Sequence, residues 1–260
     1  MAAEEVTAGG EGKGPDLSRL AAREAPPPKA KRFYREVTVE MADGAHRVLL
    51  DKRPVKTPLR RILETPSPSL AEAIAAEWQA QGDTIDPRTM PMTRLAATAL
   101  DRVADERAAI IETLLAYMGT DLLCYRATAP AELRNRQQTV WQPVLDWLAA
   151  HHGIDLAVTA GIVPVEQPQS ARAAAERQLA ALSIDHLTAA QAAIAATGSF
   201  ALGLALVKKR LSAAEAIAAA HLDETYQNEQ WGEDAEALAR RQLTAADIEA
   251  AARYVDLIGP

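Results

Sequence analysis

Nineteen consecutive residues, Ala189–Val207, carry only Gln191, Thr197 and Ser199 as polar side chains, and Lys208-Lys209-Arg210 follow at once. A stretch this apolar has two physical outlets. One is a lipid bilayer, which its length and cationic flank would suit; the other is a protein interior that covers it on every side. Composition separates them, because most of the apolar count is alanine and Gly198-Ser199 breaks the run in its middle. The sequence therefore predicts a hairpin of two short buried helices, Thr188–Thr197 and Phe200–Lys209, and no membrane span. Burying such a hairpin requires many other elements around it. With 260 residues and a soft prior of about 150 per domain, the chain can supply them from two domains.

Those elements are legible as changes of period. From Phe33 to Met41 the apolar Phe33, Val37, Val39 and Met41 alternate with Tyr34, Glu36, Thr38 and Glu40, with Arg35 interrupting the apolar face. A period of two marks a strand with one covered face. Asp43-Gly44 supplies a tight turn and His46–Leu50 a returning strand, with shorter extended pieces around Val55 and at Ile62–Glu64. Ser69-Leu-Ala-Glu72 reads as a capping box for a helix that runs through Trp78, stops at Gln81-Gly82 and covers the small sheet. Past Asp86-Pro87 the period becomes helical, over Met92–Val103, Glu106–Met118, Ala131–Ala150, Ala171–Leu182, Ser212–Gln230 and Glu233–Leu257. Thr188-Ala-Ala-Gln191 and Ser212-Ala-Ala-Glu215 read as further capping boxes, and Thr244-Ala-Ala-Asp247 as a weaker one that would divide the last helix. Gly153 ends a helix before Ile154–Val158, expected to cross the surface extended. The expected class is α+β: residues 1–30 a disordered tail, 31–88 a small α/β N-terminal domain of short antiparallel sheet plus helix, and 89–260 a larger all-α C-terminal domain.

Charge is divided unevenly. Residues 29–61 hold ten Lys/Arg against Glu36, Glu40, Asp43 and Asp51, a local +6 within a net charge of −7, which leaves −13 on the remainder. Such a basic module suits a protein partner of mixed charge, with an RNA-binding accessory role as the alternative. No interleaved aromatics or recognisable motif support nucleic acid, so none is expected. One cysteine, Cys124, excludes an intramolecular disulfide and fits a reducing compartment as a buried thiol. The start of the chain lacks a continuous apolar core and carries Glu4, Glu5, Glu11 and Asp16, so it resembles neither a secretory signal nor a mitochondrial presequence; bacterial cytoplasm is the expected location.

No chemistry assembles in the order of the chain. The histidines His46, His151, His152, His186 and His221 form no His-x-x-x-His or Glu-x-x-His pair, and His151-His152 before Gly153 read as complements to a helix dipole. His221, Asp223 and Glu224 lack the second carboxylate cluster that a di-iron bundle needs. Gly9-Gly10-Glu11-Gly12-Lys13-Gly14 lacks the strand, the Ser/Thr and the helix of a phosphate loop, and no Gly-x-Ser-x-Gly elbow exists. No catalytic residue, cofactor or metal is expected. What stands out is His221–Gly232, where a small-residue helix concentrates carboxylates and two large aromatics. On one continuous helix Ile217, Glu224 and Trp231 would share a face, placing a carboxylate within an apolar stripe that a partner would satisfy.

A string of separated motifs goes further. Glu77-Trp78 with Asp83-Thr84-Ile85, Gly119-Thr-Asp121-Leu-Leu-Cys124-Tyr-Arg126, Trp141-Gln-Pro143 with Trp147, Pro164-Val-Glu-Gln-Pro168, Thr197-Gly-Ser199 and His221 through Glu233 together resemble the family of F1-ATP synthase assembly chaperones specific for the alpha subunit, over about Arg32 to Val255. The resemblance implies a non-enzymatic, ATP-independent, monomeric chaperone that binds free F1 alpha subunit, prevents its aggregation and yields it to the beta subunit. It implies a partner-binding role for Glu224, flanked by Asp223, with Tyr226 and Trp231 as apolar anchors, and for Trp78, which could equally fix its helix on the sheet. Asp121 reads instead as a structural N-cap.

Overall fold

The structure, a computed structural model, describes residues 30–259. The tail expected over residues 1–30 and the glycine-rich Gly9–Gly14 therefore fall, but for Ala30, outside the described residues.

Where the alternation is strongest it forms a hairpin. Strands β1 (Val37–Ala42) and β2 (Ala45–Leu50) pair antiparallel from Val37↔Leu50 to Ala42↔Ala45. Asp43 and Gly44 between them take φ of 54° and 83°, the left-handed pair that matches the strand twist. β3 (Arg53–Pro54) and β4 (Glu64–Thr65) pair with the two ends of the other edge of β2. The expected face fails at its extremes: Phe33 and Met41 are each 71% exposed, and Tyr34 is buried. The reason lies before the strand, where the Asp51 carboxylate accepts the backbone N–H groups of Arg35 (3.1 Å) and Glu36 (2.9 Å) and turns the chain. Tyr34 swings inward, donating its hydroxyl to the carbonyl of Trp78 at 2.7 Å.

Helix α1 (Pro68–Gln79) lies on β1 and β2. Its cap is Ser67 and not the expected Ser69: Ser67 Oγ accepts from Leu70 N at 3.2 Å, and Pro68 takes the first helical position, where a missing N–H is harmless. α2 (Pro91–Thr98) continues through a π-helical turn, Ala99–Val103, into α3 (Ala104–Ala116), so the expected gap is a kink at Glu106. β5 (Tyr125–Arg126) precedes α4 (Ala131–His152), which ends at Gly153 with φ 67°. The extended Ile154–Val158 then leads to β6 (Thr159–Ala160), parallel to β5.

After α5 (Gln169–Ala180) come the hairpin helices α6 (Ile184–Thr197) and α7 (Phe200–Val207). Every residue of α7 is buried. A Cβ on Gly203 would stand 2.3 Å from Ile194 Cγ1 and 2.7 Å from its backbone N, so only glycine admits this approach. α6 starts at its cap Ser183; Thr188 is interior, donating its hydroxyl to the Ile184 carbonyl at 2.8 Å, which corrects the expected start. The expected helix 212–230 is two, α8 (Ala213–Ala220), opened by the Ser212/Glu215 capping box, and α9 (Leu222–Trp231), parted at His221 with φ −101° and ψ 15°. α10 (Ala235–Ile258) passes through Thr244 unbroken from its cap Asp234. Among the described residues no helix is long and apolar enough to cross a membrane.

The class is thus α+β. One apolar cluster runs from Tyr34 and Val48 under the sheet through Leu70, Trp141 and Phe200 to Tyr254, so the core continues across the change of secondary structure at Pro87.

Candidate functional site

Helix α9 owes its position to polar anchors on the long helix α4. Asp223 is half-buried, accepting from Gln137 Nε2 at 2.8 Å; burial raises its carboxyl above the usual range, opposed by that bond and by Arg126. Arg126, itself buried, donates to the Gln137 carbonyl at 2.7 Å and lies 5.1 Å over the Trp141 ring. Tyr226 is buried under the Arg136 guanidinium, 5.1 Å from the ring centroid, and Arg136 pairs with Glu229 at 2.7 Å. Asp223 and Tyr226 therefore hold the helix. Glu224 and Trp231 face outward: Trp231 is 79% exposed on the last turn, and Glu224 is exposed beside Arg241, 3.7 Å away. The break at His221 overturns the single heptad stripe, since Ile217 lies on α8 and packs with Ala216 and Ile248 while Glu224 stands in water. A hollow of about 510 Å³ lies on the other side of the helix, against α4, lined by Arg136, Val140, Ala218, Leu222 and Thr225 and by neither Glu224 nor Trp231.

Trp78 belongs to another place. On the last turn of α1 it packs edge-on to Tyr34, centroids 5.7 Å apart, and it lines two adjoining hollows of about 690 and 920 Å³ that share Val55, Lys56 and Trp78. None of the α9 residues lines either. The first hollow lies between the turn Val55–Leu59 and the wall made by α2 and the π-helical turn; the second extends to Phe33 and Arg53. The Trp78 indole N–H has no hydrogen-bond acceptor among the described residues.

Several residues of the motif string prove to be joints of the fold. Glu77 caps α2 from α1: its carboxylate accepts the backbone N–H groups of Met92 (2.7 Å) and Thr93 (2.8 Å), a negative charge on a helix N-terminus. Asp121 is fully buried and accepts from Leu123 N (2.9 Å), Ser199 Oγ (2.8 Å) and Ala201 N (2.9 Å), so besides capping its own turn it caps α7. Burial pushes its carboxyl up and these donors pull it down. Cys124 is a buried thiol pushed up to about 12 by desolvation, which leaves it protonated and unreactive at neutral pH. His151 Nδ1 lies 3.2 Å from the Trp147 carbonyl in the last turn of α4. No group of three His, Cys, Asp or Glu among the described residues is placed to hold a metal.

An exposed aromatic with a carboxylate on an anchored helix, and an apolar double hollow rimmed by cations, are surfaces of the kind that protein partners cover. The comparisons with known proteins give the class its name. The profile of the ATP12 chaperone protein family matches residues 31–149. Protein atp12, mitochondrial, of Schizosaccharomyces pombe is 27% identical over 240 residues, 87% of this chain and 82% of that protein. Atp12 from Paracoccus denitrificans superposes with a TM-score of 0.84 at 39% identity, covering 88% of this chain and 99% of the other. The Atu1473 protein of Agrobacterium tumefaciens does so at 0.85 and 38%, covering 94% and 95%. The chain belongs to the ATP12 chaperone family.

Proposed function

We propose that the chain is an ATP-independent assembly chaperone of ATP synthase that binds free F1 alpha subunit, prevents its aggregation and releases it to the beta subunit, acting as a cytoplasmic monomer without catalysis. The observation that carries this is the correspondence with Paracoccus Atp12 over nearly the whole of both chains, joined to the motif string whose resemblance specifies the alpha subunit. In this reading Glu224 and Trp231 touch the client, because they are exposed on a helix that Asp223 and Tyr226 hold in place. An exposed tryptophan is an apolar anchor of the kind that concentrates binding energy in interfaces. Trp78 contributes through the hollows it lines.

The test is light scattering of alpha subunit diluted from denaturant, with and without the chain at equal concentration. Suppressed scattering, and a complex dispersed by beta subunit, are the expected outcome. Scattering unchanged at molar excess would overturn the reading.

A further inference from the structure

We propose that the two hollows meeting at Trp78 form a docking groove for an extended segment of the client, one that carries apolar side chains flanked by carboxylates; this deepens the chaperone reading and rests on it. The groove is set before anything binds. Asp101, buried on the π-helical turn, accepts Thr57 Oγ1 at 2.7 Å and Leu59 N at 2.9 Å, and Arg61 clamps the same turn to Asp105 and the Leu100 carbonyl. An apolar cleft held open in this way spares its ligand part of the ordering cost. Its wall is π-helical, a distortion found disproportionately at functional sites.

Size and polarity describe the occupant. About 690 and 920 Å³ each reach the upper part of the roughly 300–1,000 Å³ range of single-ligand pockets, and joined they fit several side chains of a peptide. Leu59 at one rim is 63% exposed and Phe33 at the other 71%, apolar surface that a partner would cover. Both lining carboxylates are engaged within the fold, Asp101 by the turn and Asp51 by Arg35 and Glu36. Lys56, which lines both hollows, and Lys52 and Arg60 on adjoining turns have no carboxylate in ion-pair range among the described residues. Arg53, Lys56, Arg94 and Arg102 outnumber Asp51 and Asp101 among the lining side chains, so the rim is positive on balance and the complementary segment is acidic as well as apolar.

The experiment replaces Leu59 by the photo-cross-linker p-benzoylphenylalanine, and in a control chain replaces Ile162, exposed on a loop far along the sequence, and irradiates each with alpha subunit. Cross-links from position 59 to an apolar, acid-flanked segment of the client are expected, with few from position 162. The pair Lys56→Glu and Lys52→Glu is expected to weaken the complex about tenfold at low salt, less at high salt, with an unchanged melting temperature. A complex that forms but cross-links only from position 162, that joins position 59 to residues 1–29 of the chain itself, or that ignores the charge reversals would overturn the groove. No complex even with the unsubstituted chain would instead overturn the chaperone reading.

Discussion

Glu224 and Trp231 can be removed without touching what holds α9. The Glu224–Arg241 pair is long with its Glu224 side exposed, and Arg241, mostly buried, keeps Glu233 and Thr225 when Glu224 is removed, so the pair is worth about 1 kcal/mol at most; Trp231 buries little. Glu224→Ala with Trp231→Ala should therefore shift unfolding by about 0.5 kcal/mol per site or less and still reduce suppression of client scattering; full suppression would return both residues to a structural role. Asp121 is the opposite case. Asp121→Ala would strand two backbone N–H groups and one hydroxyl in the core, so we expect a loss of about 3–5 kcal/mol in urea denaturation; a loss under about 1 kcal/mol would contradict the assignment. Partly or fully buried imidazoles carry a pH dependence. Desolvation holds His152, His186 and His221 below their ordinary value of 6.5. A base depressed in the folded state binds fewer protons folded than unfolded, so its stability contribution is intact above the unfolded value and is lost as pH falls through it toward the folded one. Thermal stability should decline from pH 7 to 5.5, and His221→Gln should decline less; equal slopes would refute a part for His221.

At the scale of elements the α6–α7 hairpin is the tightest joint. Gly203→Ala would drive a methyl into the side chain and backbone of Ile194, and because backbone cannot step aside we expect a cost of about 3 kcal/mol, read as a lowered urea midpoint. An unchanged midpoint would mean the two helices lie further apart. This hairpin was legible in the sequence because an alanine-rich run broken by Gly198-Ser199 has few other solutions, and the β1–β2 hairpin was legible from Asp43-Gly44. The Ser/Thr-x-x-Glu/Gln spacing misleads where it occurs inside a helix, at Ser69 and Thr188, while the true caps Ser67 and Ser183 have Leu70 and His186 where the pattern asks for Glu or Gln. The division at His221 carries neither Gly nor Pro, so periodicity alone ran α8 and α9 together and created an apolar stripe that the fold dissolves. The groove was illegible for another reason: its walls come from the turn at Val55–Leu59, from Trp78 and from Met90–Arg102, and no local pattern joins them.

For the whole molecule, the motifs that carry the family resemblance prove to be mainly connections. Glu77 on α1 caps α2 and Asp121 caps α7; outside those motifs, Ser67 at the start of α1 adds a tie by donating to the Leu257 carbonyl near the end of α10. They fix how the sheet region sits on the helices, and in the proposed reading the client meets exposed residues such as Trp231 and Leu59. Ser67→Ala removes both a cap and that tie, so a loss of about 1–2 kcal/mol is expected, with unfolding still one transition because the main apolar cluster joins the sheet region to the helices; two separated transitions would show that the regions unfold independently. The central claim is that this chain holds free alpha subunit and gives it up to beta. Size exclusion with multi-angle light scattering tests it directly: mixed with alpha subunit, the 27.9 kDa chain should move into a complex of one copy of each, and added beta subunit should return it to its free mass. A chain that elutes alone in both runs, with the alpha subunit lost to aggregate, would contradict the account.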